Sequence, residues 1–209
     1  MYIKLKLIAI LSVFFILLSG CDLTDSSITT ESSSESDNVK KKNINAENIS
    51  QILETYIKKE KSNMSHFLVT DLKNLKEPDN NFFAHYTYRV NETDYEGIAY
   101  LDKVSGIVNI SRTEEVMKDT ESRVTNLMTT GDFNNANKRY VITAGTVNDR
   151  DIDTVLVTYV NQNNVFFKLS STKRSFLDIQ VVESDEQRIG LEQVIGLDSE
   201  RNEIYKRVE

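Results

Sequence analysis

The 209-residue chain has a single cysteine, a single proline, two histidines and no tryptophan. One cysteine excludes an intrachain disulfide, and with it the stapled scaffolds of small secreted domains. It also excludes a thiolate zinc cage, which leaves His66 and His85 to be completed by carboxylates if zinc were held at all. The plainer reading of both is as strand histidines. One proline and seven glycines exclude a collagenous or low-complexity body. There is no phosphate-binding glycine loop, no dinucleotide fingerprint and no Gly-x-Ser-x-Gly elbow. Ser36 with Lys40, and Ser171 with Lys173, fail the spacing or setting of a serine–lysine pair, so no catalytic residue is assigned. Basic residues are outnumbered 25 to 32 by acids, giving a formal charge of -7. An acidic chain lacks the basic face that nucleic acid or anionic headgroups require.

Long apolar runs are almost absent as well. The one example, Leu7 to Leu18, is broken only by Ser12. As a helix it would span about 18 Å, short of the roughly 30 Å hydrocarbon core, so it reads as the core of an export signal. Lys4 and Lys6 supply the basic start of such a signal. Leu18-Ser19-Gly20-Cys21 then closes it. This tetrapeptide resembles the lipobox of bacterial membrane lipoproteins. The resemblance implies diacylglyceryl (palmitate-type) modification of the Cys21 sulfur, cleavage just before Cys21, and a chain anchored by lipid on the extracytoplasmic face of the cell membrane. Two or more acyl chains give firm anchoring, where one is marginal. Cleavage would remove Lys4 and Lys6 and take the formal charge from -7 to -9.

From Asp22 to residue 44 the chain is Ser, Thr, Asp, Glu, Asn and Lys with almost no large apolar residues. Such a stretch cannot bury enough surface to offset its ordering entropy and is expected as a disordered tether. Its serine content points to a Gram-positive envelope. Lys40-Lys41-Lys42 reads as a solvated run.

Beyond the tether, Ile49, Ile52, Leu53, Tyr56 and Ile57 share one helical stripe, with Glu47 and Lys58, Lys59 and Lys61 placed to suit the dipole. A strand is expected near His66 to Leu72, a turn at Pro78-Asp79-Asn80, and an alternating strand in which Phe82, Ala84, Tyr86, Tyr88 and Val90 oppose Phe83, His85, Thr87, Arg89 and Asn91. Tyr95 to Leu101 and Ile107 to Ile110 continue the meander, with Ser105-Gly106 as a turn. Most of Phe82, Phe83, Tyr86, Tyr88, Tyr95 and Tyr100 should be core, while Phe83 and Tyr100 fall out of phase with the helix stripe and are candidates for a binding patch. Ser111-Arg112-Thr113-Glu114 has capping-box spacing, so a second helix is expected from there to about Thr130. Helix, aromatic strands and Leu101-Asp102-Lys103-Val104-Ser105-Gly106-Ile107-Val108 together resemble a PepSY-type module. The resemblance implies an inhibitory or chaperone-like role, without the protease that often accompanies it.

Six strands at short intervals are expected after Arg139: 140–147, 154–160, 165–169, 175–182, 188–197 and 203–208, a rhythm that suggests a small sandwich. Gly145-Thr146-Val147-Asn148-Asp149 and Ile195 to Ile204 resemble the first strand and last hairpin of bacterial Ig-like modules, with Arg201 where glycine is usual. Asp149, Asp151 and Asp153 alternate like the start of a calcium loop, but Thr154 and Val160 stand where an EF-hand needs glycine and glutamate, so a solvated acidic turn is the better reading. Glu114-Glu115 and Asp185-Glu186 carry no weight as carboxylate pairs in an acidic chain.

The fold class expected is therefore α+β: signal peptide 1–20, lipidated Cys21 and tether 21–44, a PepSY-like helix-on-meander module 45–130, a linker 131–138, and an all-β Ig-like sandwich 139–209. The function expected is a lipid-anchored, non-enzymatic, protein-binding or modulatory module at the cell envelope. Its partners would be membrane lipid through Cys21 and an envelope protein, with no nucleic acid, cofactor or metal. A surface exclusion lipoprotein of a mobile element or prophage is the alternative, and a metal-binding or hydrolase accessory protein a third.

Overall fold

The computed structural model describes residues 46–209 except 78–79 and 135–136. Cys21, the tether, Ser36, Lys40 to Lys42 and the Pro78-Asp79 turn lie outside the described residues.

The helical stripe forms α1, Ala46–Glu60, on which Ile49, Leu53 and Ile57 are fully buried. Tyr56 sits at the margin, 39% exposed. Glu54 and Lys58 pair across one turn at 2.7 Å. The stripe is covered by an antiparallel meander of β1 (Met64–Leu75), β2 (Asn81–Val90), β3 (Thr93–Val104) and β4 (Ile107–Met117), in that order. One face of β2, with Phe82, Ala84, Tyr86 and Tyr88, packs on the helix. The turns are where the residues require them: Ser105 and Gly106 take φ of 52° and 87°, a positive pair that joins β3 to β4. Gly97 lies opposite Tyr86 on β3, where an added Cβ would sit 2.5 Å from the phenol ring.

The expected second helix is absent. Residues 107–117 are β4, the chain is irregular from Lys118 to Asn126 apart from a bridge at Val124, and β5 occupies Leu127–Asp132. The capping-box spacing at Ser111 is coincidental, because a bulge there lets β4 continue in register with β3 from Ile110 to Arg112. Pairing with a long neighbour outweighs a local end signal. The stretch expected as a linker is the turn of a hairpin, since Gly131 and Asp132 end β5 and Lys138 opens β6 (Lys138–Thr146).

The six strands expected after Arg139 are present: β6, β7 (Thr154–Tyr159), β8 (Asn164–Lys168), β9 (Ser175–Glu183), β10 (Leu191–Leu197) and β11 (Glu203–Val208). With β5 they make two antiparallel sheets, β5-β6-β9 and β11-β10-β7-β8. These face each other across Val141, Val155, Val157, Phe176 and Val194, an arrangement compatible with a β-sandwich. The opposite face of β5-β6-β9 presents Leu127, Tyr140, Ile142, Ala144 and Leu177 to Phe83, Ile98 and Tyr100 of the meander. Residues 46–209 thus stack as four layers, one helix and three sheets, with β5-β6-β9 covered on both sides.

Candidate functional site

Phe83 and Tyr100, the candidates for a binding patch, are 0% and 4% exposed. They stack at 5.2 Å and meet Phe133 and Tyr140 edge-on or tilted, so they cement the meander to the sandwich and present no surface. Polar groups lie in the same seam. His85 and Glu96 are 0% and 1% exposed and face each other at 3.6 Å, with Thr70 bonding His85 Nδ1 at 2.8 Å and Thr146 donating to Glu96 at 3.1 Å. Burial works to raise the Glu96 carboxyl, but the neighbouring His85 and the hydroxyls of Thr125 and Thr146 hold it below the usual carboxylate range. At the β1 edge, Lys73 donates to Asp178 at 3.1 Å, and Asp71 accepts from Lys173 at 2.6 Å and from Ser175. This seam holds the meander to the sheet β5-β6-β9.

The other sequence-singled residues are scattered. His66 is exposed on β1 at φ 52°, hydrogen-bonded to Ser65, and shares no site with His85. Glu114 and Glu115, being consecutive on a strand, face opposite ways: Glu115 accepts from Tyr86 at 3.0 Å and Tyr88 at 2.8 Å, Glu114 from Thr129 at 2.7 Å and from Arg112. Burial, followed by the Glu115 carboxylate, pushes both phenols above their ordinary range. Glu186 bonds the Arg188 amide at 2.7 Å. Asp102, just before the β3–β4 turn, accepts from the Asn134 side chain at 2.9 Å.

The three aspartates lead to a surface feature. The loops β6–β7, β8–β9 and β10–β11 and the segment around Arg123 enclose a half-open groove of about 1060 Å³ at one end of the sandwich. Beneath it lie Ile152 and Leu169, which belong to the buried core, and Ile204; its rim holds Arg123, Arg150 and Arg174, three of the nine arginines in the chain. Two of the three are fixed. Arg123 grips the Asp149 carboxylate and the Ile204 carbonyl, and Arg174 donates to the carbonyls of Ile152, at 2.9 Å, and Asp149. The Asp149 carboxyl also accepts the Asp151 amide at 2.9 Å, and that bond, ahead of Arg123, holds it below the usual range. Asp153 is tied to Lys168, which lowers its carboxyl in the same way. Asp198 caps its own turn, taking the amides of Glu200 and Asn202 and the Asn202 side chain at 2.8 to 3.0 Å, with Arg201 at φ 70° where glycine would sit more easily. Asp151 and Asp153 therefore line the groove while Asp149 does not, and the three do not converge. Among the described residues no three His, Cys, Asp or Glu side chains are placed to hold a metal ion. What remains unpaired at the rim is Arg150 and the side chain of Asp151, both exposed and without a partner among the described residues.

No reading of the sequence singled out the groove, since its arginines lie far apart in the chain. The only signal was the Asp149-Arg150-Asp151 turn. Among the described residues no helix is long and apolar enough to cross a membrane. Comparison of the chain with protein-family models, with curated proteins and with solved structures found no match.

Proposed function

We propose that this chain is an extracytoplasmic lipoprotein, anchored to the cell membrane through lipid on Cys21, whose folded body binds an envelope protein through the groove at the end of the sandwich. In this reading the helix and meander are a PepSY-like module and the seven strands that follow an Ig-like one. The meander is a supporting base, because its free face is spent on the sandwich.

One observation carries the binding role: the other charged groups on the groove rim are hydrogen-bonded within the fold, while Arg150 and Asp151 are left exposed there and, among the described residues, unpaired. Polar groups that converge at a concave, partly apolar surface are the default signature of a binding site.

The test uses the full chain in intact cells. A photo-crosslinking residue at position 171, on the groove lip, should trap one discrete partner, and the same residue at Arg188 should not. Metabolic labelling with palmitate should mark the wild type and leave Cys21→Ala unlabelled. Equal crosslinking from both positions would remove the groove from the proposal, and labelling that survived in Cys21→Ala would remove the anchor.

A further inference from the structure

The geometry points to a carboxylate-bearing extended peptide as the occupant of the groove, with Arg150 as the residue that selects it. This rests on the groove being the partner-binding surface.

A guanidinium carries five N–H donors in a planar fork, a shape that matches a carboxylate. Arg174 spends two of its donors on the carbonyls of Ile152 and Asp149, and Arg123 spends three on Asp149 and the Ile204 carbonyl. Their remaining donors are held in place before any ligand arrives, so little side-chain freedom is lost on binding. Arg150 adds a complete, unspent fork beside them.

The size and the competing charges narrow the class. A groove of about 1060 Å³ lies just above the roughly 300 to 1000 Å³ typical of small-ligand sites, and it is half open. The mostly polar lining suits the amides and carbonyls of an extended backbone, and no aromatic ring lines the groove to stack a sugar. A polyanion is disfavoured, because Asp151, Asp153 and Asp198 also line the groove. One carboxylate on an otherwise uncharged peptide avoids that repulsion, and the free Asp151 carboxylate next to Arg150 is an acceptor for a peptide amide. The occupant is thus an extended protein segment with an isolated Glu, Asp or chain end.

The experiment titrates fluorine-labelled acetyl-Ala-Ala-Glu-Ala-Ala-amide and its Gln counterpart into the full lipidated protein in nanodiscs, followed by fluorine NMR. The Glu peptide should bind at least about tenfold more tightly, the ratio expected for one charge-assisted pair. That ratio should collapse in Arg150→Gln and persist in Arg188→Gln, a change at an exposed arginine outside the groove. Equal binding of the two peptides, a preference that survives in Arg150→Gln, or no binding of either peptide would overturn the inference. A position-171 crosslink obtained together with any of those three results would leave the groove a partner site and refute only its selection of a carboxylate.

Discussion

Changing Glu96 to Gln tests whether the seam between meander and sandwich is held by charge as well as by packing. The carboxylate is almost wholly buried, accepts from Thr146 at 3.1 Å and faces His85 at 3.6 Å. Losing the charge that strengthens hydrogen bonds to a buried carboxylate costs about 1.5 to 3 kcal/mol. Glutamine keeps the shape and an acceptor for Thr146, but the site is almost wholly dry, so the upper end, about 3 kcal/mol, is expected. With a urea m-value of about 2 kcal/mol/M, the unfolding midpoint should drop by about 1.5 M. The pH dependence gives an independent check. The folded carboxyl sits below its ordinary value, so the unfolded chain binds more protons in acid. The contribution of Glu96 is complete above the unfolded value near 4.3 and is lost as pH falls through the folded one. Glu96→Gln should therefore flatten the acid limb of the stability curve. Urea unfolding of the full chain in detergent, read by tyrosine fluorescence from pH 3 to 7, measures both. A midpoint change under about 0.5 M, or an acid limb as steep as that of the wild type, would refute the reasoning.

Phe83→Ala should cost about 3 to 5 kcal/mol, because the ring is fully buried against Tyr100, Phe133 and Tyr140; the same urea assay reads it. Gly97→Ala should cost about 1 to 3 kcal/mol, since the new Cβ would lie 2.5 Å from Tyr86 Cζ and 2.9 Å from the Glu114 carbonyl oxygen, and a melting temperature unchanged from wild type would contradict it. Calcium at millimolar concentration should leave the melting temperature in place, because Asp149 and Asp153 are already satisfied by Arg123 and Lys168; a calcium-dependent rise in differential scanning fluorimetry would show otherwise.

The elements most legible in the sequence were those with one wet face. The stripe of α1 announces its period because polar residues fill the gaps, and β11 was read to its end residues, whereas β2 kept a readable alternation although both of its faces are covered. Where a neighbour covers the second face, the pattern loses its meaning. Phe83 and Tyr100 looked like surface aromatics because the sandwich that buries them lies many residues downstream. Residues 111–130 failed for another reason: a bulge at Ser111 moves the apolar residues out of step, so a strand edge imitates a helix stripe. The groove was illegible because its arginines, at 123, 150 and 174, meet only after three loops have been folded to one end.

The middle sheet has a consequence for how the body can come apart. β6 is hydrogen-bonded on one edge to β5 and on the other to β9, and its side chains enter two different cores. Water can reach its amides only when both neighbouring sheets let go together, so deuterium should enter β6 last, at the rate set by unfolding of the whole body. A protease roaming the cell surface would meet the same arithmetic: the edges can be nibbled, but the centre yields all at once or not at all.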